Sequence, residues 1–80
     1  MRVTLYTKAD CGLCEEAASM LRRLQKQTRF EIEYVDIEAD ADATERYGSR
    51  IPVIAVDGEE VAAAPIDEKQ LAAVLLRQAL

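Results

Sequence analysis

The first apolar signal along the chain is an alternation. Val3 and Leu5 stand between Arg2, Thr4 and Tyr6, a period of two that predicts a strand over about residues 2–7. The period then lengthens. Leu13, Ala17, Met20, Leu21 and Leu24 recur at helical spacing and predict a helix over about residues 12–26 with one apolar face. Glu15 and Glu16 fall in its first turn, and Arg22, Arg23 and Lys26 fall late. Each sign lies where the helix dipole favours it. Phe30, Ile32 and Tyr34 alternate with Glu31 and Glu33, which predicts a second strand reaching Asp36.

The segment from Asp40 to Tyr47 is polar and Ala-rich, a short surface helix stopped by Gly48. Pro52-Val53-Ile54-Ala55-Val56 is a continuous apolar run, as expected of a central strand buried on both faces. Asp57-Gly58 is a hairpin signal, with Glu59 to Ala62 as the returning strand. Asp67 is placed to cap a last helix whose face is Leu71, Val74, Leu75 and Ala79.

The order is therefore β-α-β-α-β-β-α. Two strands joined through a helix imply a parallel pair with a right-handed crossover. The hairpin adds an antiparallel pair. The expected architecture is an α/β domain over residues 1–80, a four-stranded mixed sheet flanked by helices.

Composition narrows the function. The 80 residues can bury only a modest core. There is no His, which removes imidazole as base, metal ligand and pH switch. Fifteen acidic against ten basic residues leave a formal charge of -5. That surface repels phosphate backbones and anionic lipids, so neither nucleic acid nor membrane is an expected partner. No apolar run approaches the ~20 residues of a membrane helix, and no apolar signal region precedes the first strand. A cytoplasmic location, where thiols are kept reduced, is the expectation.

The two cysteines of the chain form Cys11-Gly12-Leu13-Cys14, at the predicted junction of strand and helix. Residues i and i+3 of a first helical turn are neighbours, so their sulfurs can approach bonding distance. The unsatisfied N–H groups of that turn favour a thiolate on the first sulfur, and the thiolate is the attacking species. Cys11 is then the nucleophile, and the deeper Cys14 resolves the mixed disulfide. Lys8 supports a Cys11 thiolate, while Asp10, Glu15 and Glu16 oppose it.

Other readings compete. Two cysteines on a core helix can be plain small apolar residues. A zinc or iron–sulfur site needs four ligands, so it would require two chains sharing their thiolates. A redox-inert interaction domain is a third. Tyr6 and Tyr47 read as packing residues and Arg50 as a solvated surface charge. Taken alone, Ile51-Pro52 reads as an ordinary trans bond opening a strand.

The segment from Tyr6 to Cys14, the run Arg50-Ile51-Pro52-Val53 and the hairpin Asp57-Gly58-Glu59-Glu60-Val61 together resemble the glutaredoxins of the thioredoxin-fold superfamily. The resemblance covers almost the whole chain and implies a thioredoxin-like fold. It also implies thiol–disulfide oxidoreductase activity on protein disulfides or glutathione mixed disulfides. By position, Cys11 and Cys14 resemble the catalytic dithiol. Lys8 resembles a residue that helps hold the glutathione carboxylate. Pro52 resembles a cis-proline which, with Ile51, borders the substrate. No bound cofactor or metal is implied; glutathione is a candidate co-substrate, and a reductase or glutathione the electron donor. A monomer is expected.

Three features depart from the family pattern. Gly12-Leu13 replaces the usual Pro-Tyr or similar pair. Ala62-Ala63 stands where paired glycines usually let the backbone approach glutathione. The loop before Pro52 is about one residue shorter than its family equivalents.

Overall fold

A computed structural model of the chain describes residues 1–79. The chain runs β1 (Arg2–Thr7), α1 (Gly12–Leu24), β2 (Glu31–Asp36), a one-turn 3₁₀ helix (Ile37–Ala39), α2 (Ala41–Tyr47), β3 (Val53–Val56), β4 (Glu59–Ala63) and α3 (Glu68–Ala79). The sheet order is β2-β1-β3-β4. β1 is parallel to β2, with Val3 opposite Ile32, and antiparallel to β3, with Leu5 opposite Ile54. β3 and β4 are antiparallel, with an irregularity between Ile54 and Ala55. This is the thioredoxin-like α/β arrangement that the sequence implies.

The alternation of β1 sorts its side chains onto two faces. Val3 and Leu5 join Ile54 and Val56 under α1 and α3, which contribute Ala17, Leu21, Leu24, Leu71 and Leu75. Each large aliphatic side chain buried there stabilises the fold by about 1.5–3 kcal/mol of transfer free energy. On the opposite face Tyr6 meets Tyr47 of α2. β3 is buried at all four positions, as its unbroken apolar run requires.

The turns follow from particular residues. Asp57 (φ 48°) and Gly58 (φ 90°) both take left-handed backbone, the pair of conformations a tight hairpin with twisted strands needs. Asp67 accepts from the backbone N–H groups of Lys69 at 2.8 Å and Gln70 at 3.3 Å, as a helix cap. Asp40 does the same for α2 through Asp42 and Ala43.

Several expected details change. α1 ends at Leu24, not residue 26. Lys26 and Gln27 donate to Arg23 and Leu24, tightening the last turn to i→i−3 bonds. β2 begins after Phe30, and β4 reaches Ala63. Gly48 keeps a right-handed backbone (φ −52°) and is no left-handed stop. Its lack of a Cβ still matters, because one would lie 2.5 Å from the carbonyl oxygen of Thr44. Leu13 and Tyr34, placed by periodicity on apolar faces, are more than half exposed. Leu13 is in the first turn of α1, and Tyr34 is on an edge strand.

Candidate active site

β1 delivers the chain to the top of the sheet, and the loop after it must turn sharply into α1. Asp10 makes that turn in the left-handed region, φ 56°, which Asp tolerates better than most residues. Cys11 then becomes the N-cap of α1 with extended backbone. Its carbonyl accepts the N–H of Glu15 at 3.1 Å. Its Sγ accepts the N–H of Cys14 at 3.2 Å. The sulfur thus occupies the position a Ser or Asp oxygen fills in an ordinary cap.

Cys11 and Cys14 are paired as a disulfide, with Cα atoms 5.2 Å apart. Cys11 is partly exposed, whereas Cys14 is buried at 3% exposure. The helical register causes the difference: Cys14 is one residue short of a turn further along α1, on the face that carries Ala17 and Leu21 into the core. One sulfur is open to a partner and the other is held behind it.

The Ile51-Pro52 bond is cis, as the resemblance implies and unlike the trans bond that the residues alone suggest. Pro52 is buried and Ile51 half-buried. The Pro52 carbonyl accepts the N–H of Ala64 at 3.0 Å, which ties this loop to the end of β4. Ala62 and Ala63 are strand residues opposite Ile54 and Val53. Lys8 is exposed in the loop before Cys11.

Leu13, which stands between the cysteines in the chain, lines a groove of about 100 Å³ that is also bordered by Met20, Pro52, Pro65 and Ile66. Glu16 is its one ionisable lining residue. A larger polar depression of about 650 Å³ lies elsewhere, lined by Arg2, Thr4, Glu31, Glu33 and Asp57 among others; neither cavity is lined by a cysteine. The groove, although smaller, is where Leu13 of the dithiol motif and Pro52 meet.

The loop carrying Pro52 has a further anchor. Arg50 makes a two-pronged ion pair with Glu60, at 2.6 and 3.1 Å, and its guanidinium lies 5.6 Å from the centre of the Tyr47 ring. Tyr47 in turn packs on Tyr6, ring centres 4.3 Å apart. Burial, and then the Tyr47 neighbour, hold the Tyr6 phenol above its ordinary value. Hydrogen bonding to Arg50 holds the Glu60 carboxyl below its own. Arg50 is thus exposed, as the sequence suggests, but ion-paired with Glu60. Nothing in the local pattern joins residues 50 and 60, which meet only when β4 folds back beside β3.

Among the described residues, no group of three or more His, Cys, Asp or Glu is placed to hold a metal. No helix among them is long and apolar enough to cross a membrane.

Residues 2–76 match the family model described as Glutaredoxin-like domain (DUF836). The chain belongs to this glutaredoxin-like family. An uncharacterized protein of Mycobacterium tuberculosis is 30% identical over 81 aligned positions, covering 95% of this chain and 84% of that protein. A crystal structure of a structural-genomics target from X. campestris is 34% identical with a TM-score of 0.77, over 94% of this chain and 96% of the other. A solution structure from Nitrosomonas europaea is 33% identical with a TM-score of 0.78, over 91% and 88%. A mutant thioredoxin from Halobacterium salinarum is 23% identical with a TM-score of 0.73, over 99% and 74%; that likeness is one of fold. This glutaredoxin-like chain thus combines the thioredoxin-type sheet with a close cysteine pair, a pairing that gives it redox capacity.

Proposed function

We propose that this glutaredoxin-like domain is a dithiol thiol–disulfide oxidoreductase acting on protein disulfides or glutathione mixed disulfides. The observation that carries this reading is the pairing of an open Cys11, capped by a backbone N–H, with a buried Cys14. In the reduced form that N–H favours negative charge on Cys11 Sγ, as helix N-termini do.

The Cys11 thiolate attacks one sulfur of the substrate disulfide. A Cys11–substrate disulfide forms, the substrate's own S–S bond breaks, and the departing thiolate takes a proton. Cys14, deprotonated, then attacks Cys11 Sγ. The mixed disulfide breaks, the second substrate sulfur leaves as a thiol, and the Cys11–Cys14 disulfide remains. The substrate gains two electrons and the dithiol loses two. A thiol reductant, glutathione or the dithiol of a reductase, returns them. Ile51 and Pro52 border the bound substrate, and Lys8 offers a positive charge in the loop before the nucleophile. The domain works as a monomer in the cytoplasm.

The test is chemical. With a protein disulfide as substrate and no free glutathione present, Cys14→Ser should stop turnover and accumulate a covalent adduct on Cys11, visible by intact mass. Cys11→Ser should be inactive and form no adduct. If the native dithiol never cycles between two thiols and a disulfide in glutathione buffers spanning about −180 to −270 mV, the reading fails.

A further inference from the structure

The groove lined by Leu13 and Pro52 is apolar except at one point, and that point is negative. Leu13 is 57% exposed at its mouth. Glu16 is exposed on the same helix, two residues after Cys14. A neighbouring depression of about 390 Å³ continues along this flank and brings in Glu15 and Arg23. Arg23 does not offset the acids, because its guanidinium is engaged by Glu68 at 2.6 Å. The flank next to the nucleophile therefore presents one apolar side chain and two carboxylates that form no ion pair among the described residues; the Arg22 guanidinium is held on Ser19. Neither Lys8 nor Cys11 lines either depression; the flank adjoins the nucleophile through Gly12 and Leu13, which follow it in the chain.

We propose that Leu13 and Glu16 are specificity-determining residues. They select disulfides whose cysteine sits in a polypeptide with an apolar neighbour and a nearby Lys or Arg, over free glutathione-type substrates. The proposal deepens the exchange reading above and rests on it. The groove volume suits one aliphatic side chain, and burying it with Leu13 removes apolar surface from water on both partners. A basic residue beside it meets Glu16 and Glu15 at the rim, where charge acts mainly on the rate of productive encounter. Glutathione offers the reverse. It carries two carboxylates and one ammonium, and the groove lining offers its carboxylates a carboxylate in place of a cation.

The experiment uses the intact protein and three substrates. Two are synthetic peptide disulfides identical except for Arg or Glu beside the cysteine. The third is oxidised glutathione. At low ionic strength the wild type should show a kcat/KM roughly five- to tenfold higher for the Arg peptide than for the Glu peptide, shrinking as salt is added. E16Q should reduce that ratio and E16K invert it. Glu16 is exposed and forms no ion pair among the described residues, so both variants keep the fold. L13S should raise KM for both peptides and leave the charge ratio in place. Equal rates for the two peptides, a ratio unmoved in E16K, or glutathione turned over faster than the Arg peptide would overturn the proposal while leaving exchange activity standing. Absence of turnover with all three would remove both this proposal and the exchange reading.

Discussion

Cys11 Sγ accepts the backbone N–H of Cys14 at 3.2 Å, while the Cys14 side chain it partners is almost wholly buried. The two sulfurs are thus chemically unequal before any substrate arrives. In the reduced protein, iodoacetamide should modify Cys11 on the order of tenfold faster than Cys14, because thiolate character and access both favour it. Neutralising the adjacent carboxylates by E15Q and E16Q should speed Cys11 a few-fold at fixed pH, since like charge disfavours the thiolate. Peptide mapping after timed alkylation reads both effects; equal rates at the two cysteines would contradict the inequality.

The Arg50–Glu60 pair should make the protein sensitive to acid. Arg50 lowers the Glu60 carboxyl below its ordinary value of 4.5. A carboxylate with a depressed value in the folded state stabilises that state above its unfolded value, and the contribution is lost as pH falls through the folded one. The loss therefore lies below about pH 4.5. Both side chains are largely exposed, which keeps the effect small and salt-sensitive. Thermal melts at stepped pH should show a shallower acid limb for Glu60→Gln than for the wild type, with little difference at neutrality.

Leu21 is fully buried between α1 and the sheet. Leu21→Ala should cost about 2–5 kcal/mol, transfer plus cavity. A domain of this size holds on the order of 4–12 kcal/mol in all. Urea unfolding should show a midpoint well below that of the wild type, with the variant partly unfolded at physiological temperature.

Asp67 holds the start of α3 through two backbone N–H groups. Asp67→Ala leaves both unsatisfied by protein and should cost about 1 kcal/mol. α3 carries Leu71 and Leu75 into the core, so the loss should appear as global destabilisation in chemical unfolding and as faster amide exchange in the first turn of the helix.

The fold was legible where each element carries its own period. The alternation of β1, the apolar face of α1 from Ala17 to Leu24, the unbroken run of β3 and the Asp57-Gly58 turn all reflect geometry that acts within a few residues. The dithiol was legible for the same reason, because three-residue spacing at a helix start is local. Leu13 was misplaced because periodicity assigns a stripe but not the point where the core stops covering it. The Tyr6–Tyr47–Arg50–Glu60 ladder left no trace in the pattern, since its members come from β1, α2, the loop before Pro52 and β4.

The sequence by itself determined the order of strands and α-helices, the Asp67 cap and the proximity of Cys11 to Cys14, all consequences of backbone geometry over one or two turns. Only the tertiary structure decided what faces the dithiol. The packing of α1 against the sheet put Cys14 inside and left Cys11 open. The return of β4 beside β3 brought Ala64 onto Pro52 and set Pro65 and Ile66 across from Leu13. The first of these joins residues 12 positions apart in the chain, the second residues about fifty apart. Their positions are set by the burial of the whole core and by chain closure, which no local pattern encodes.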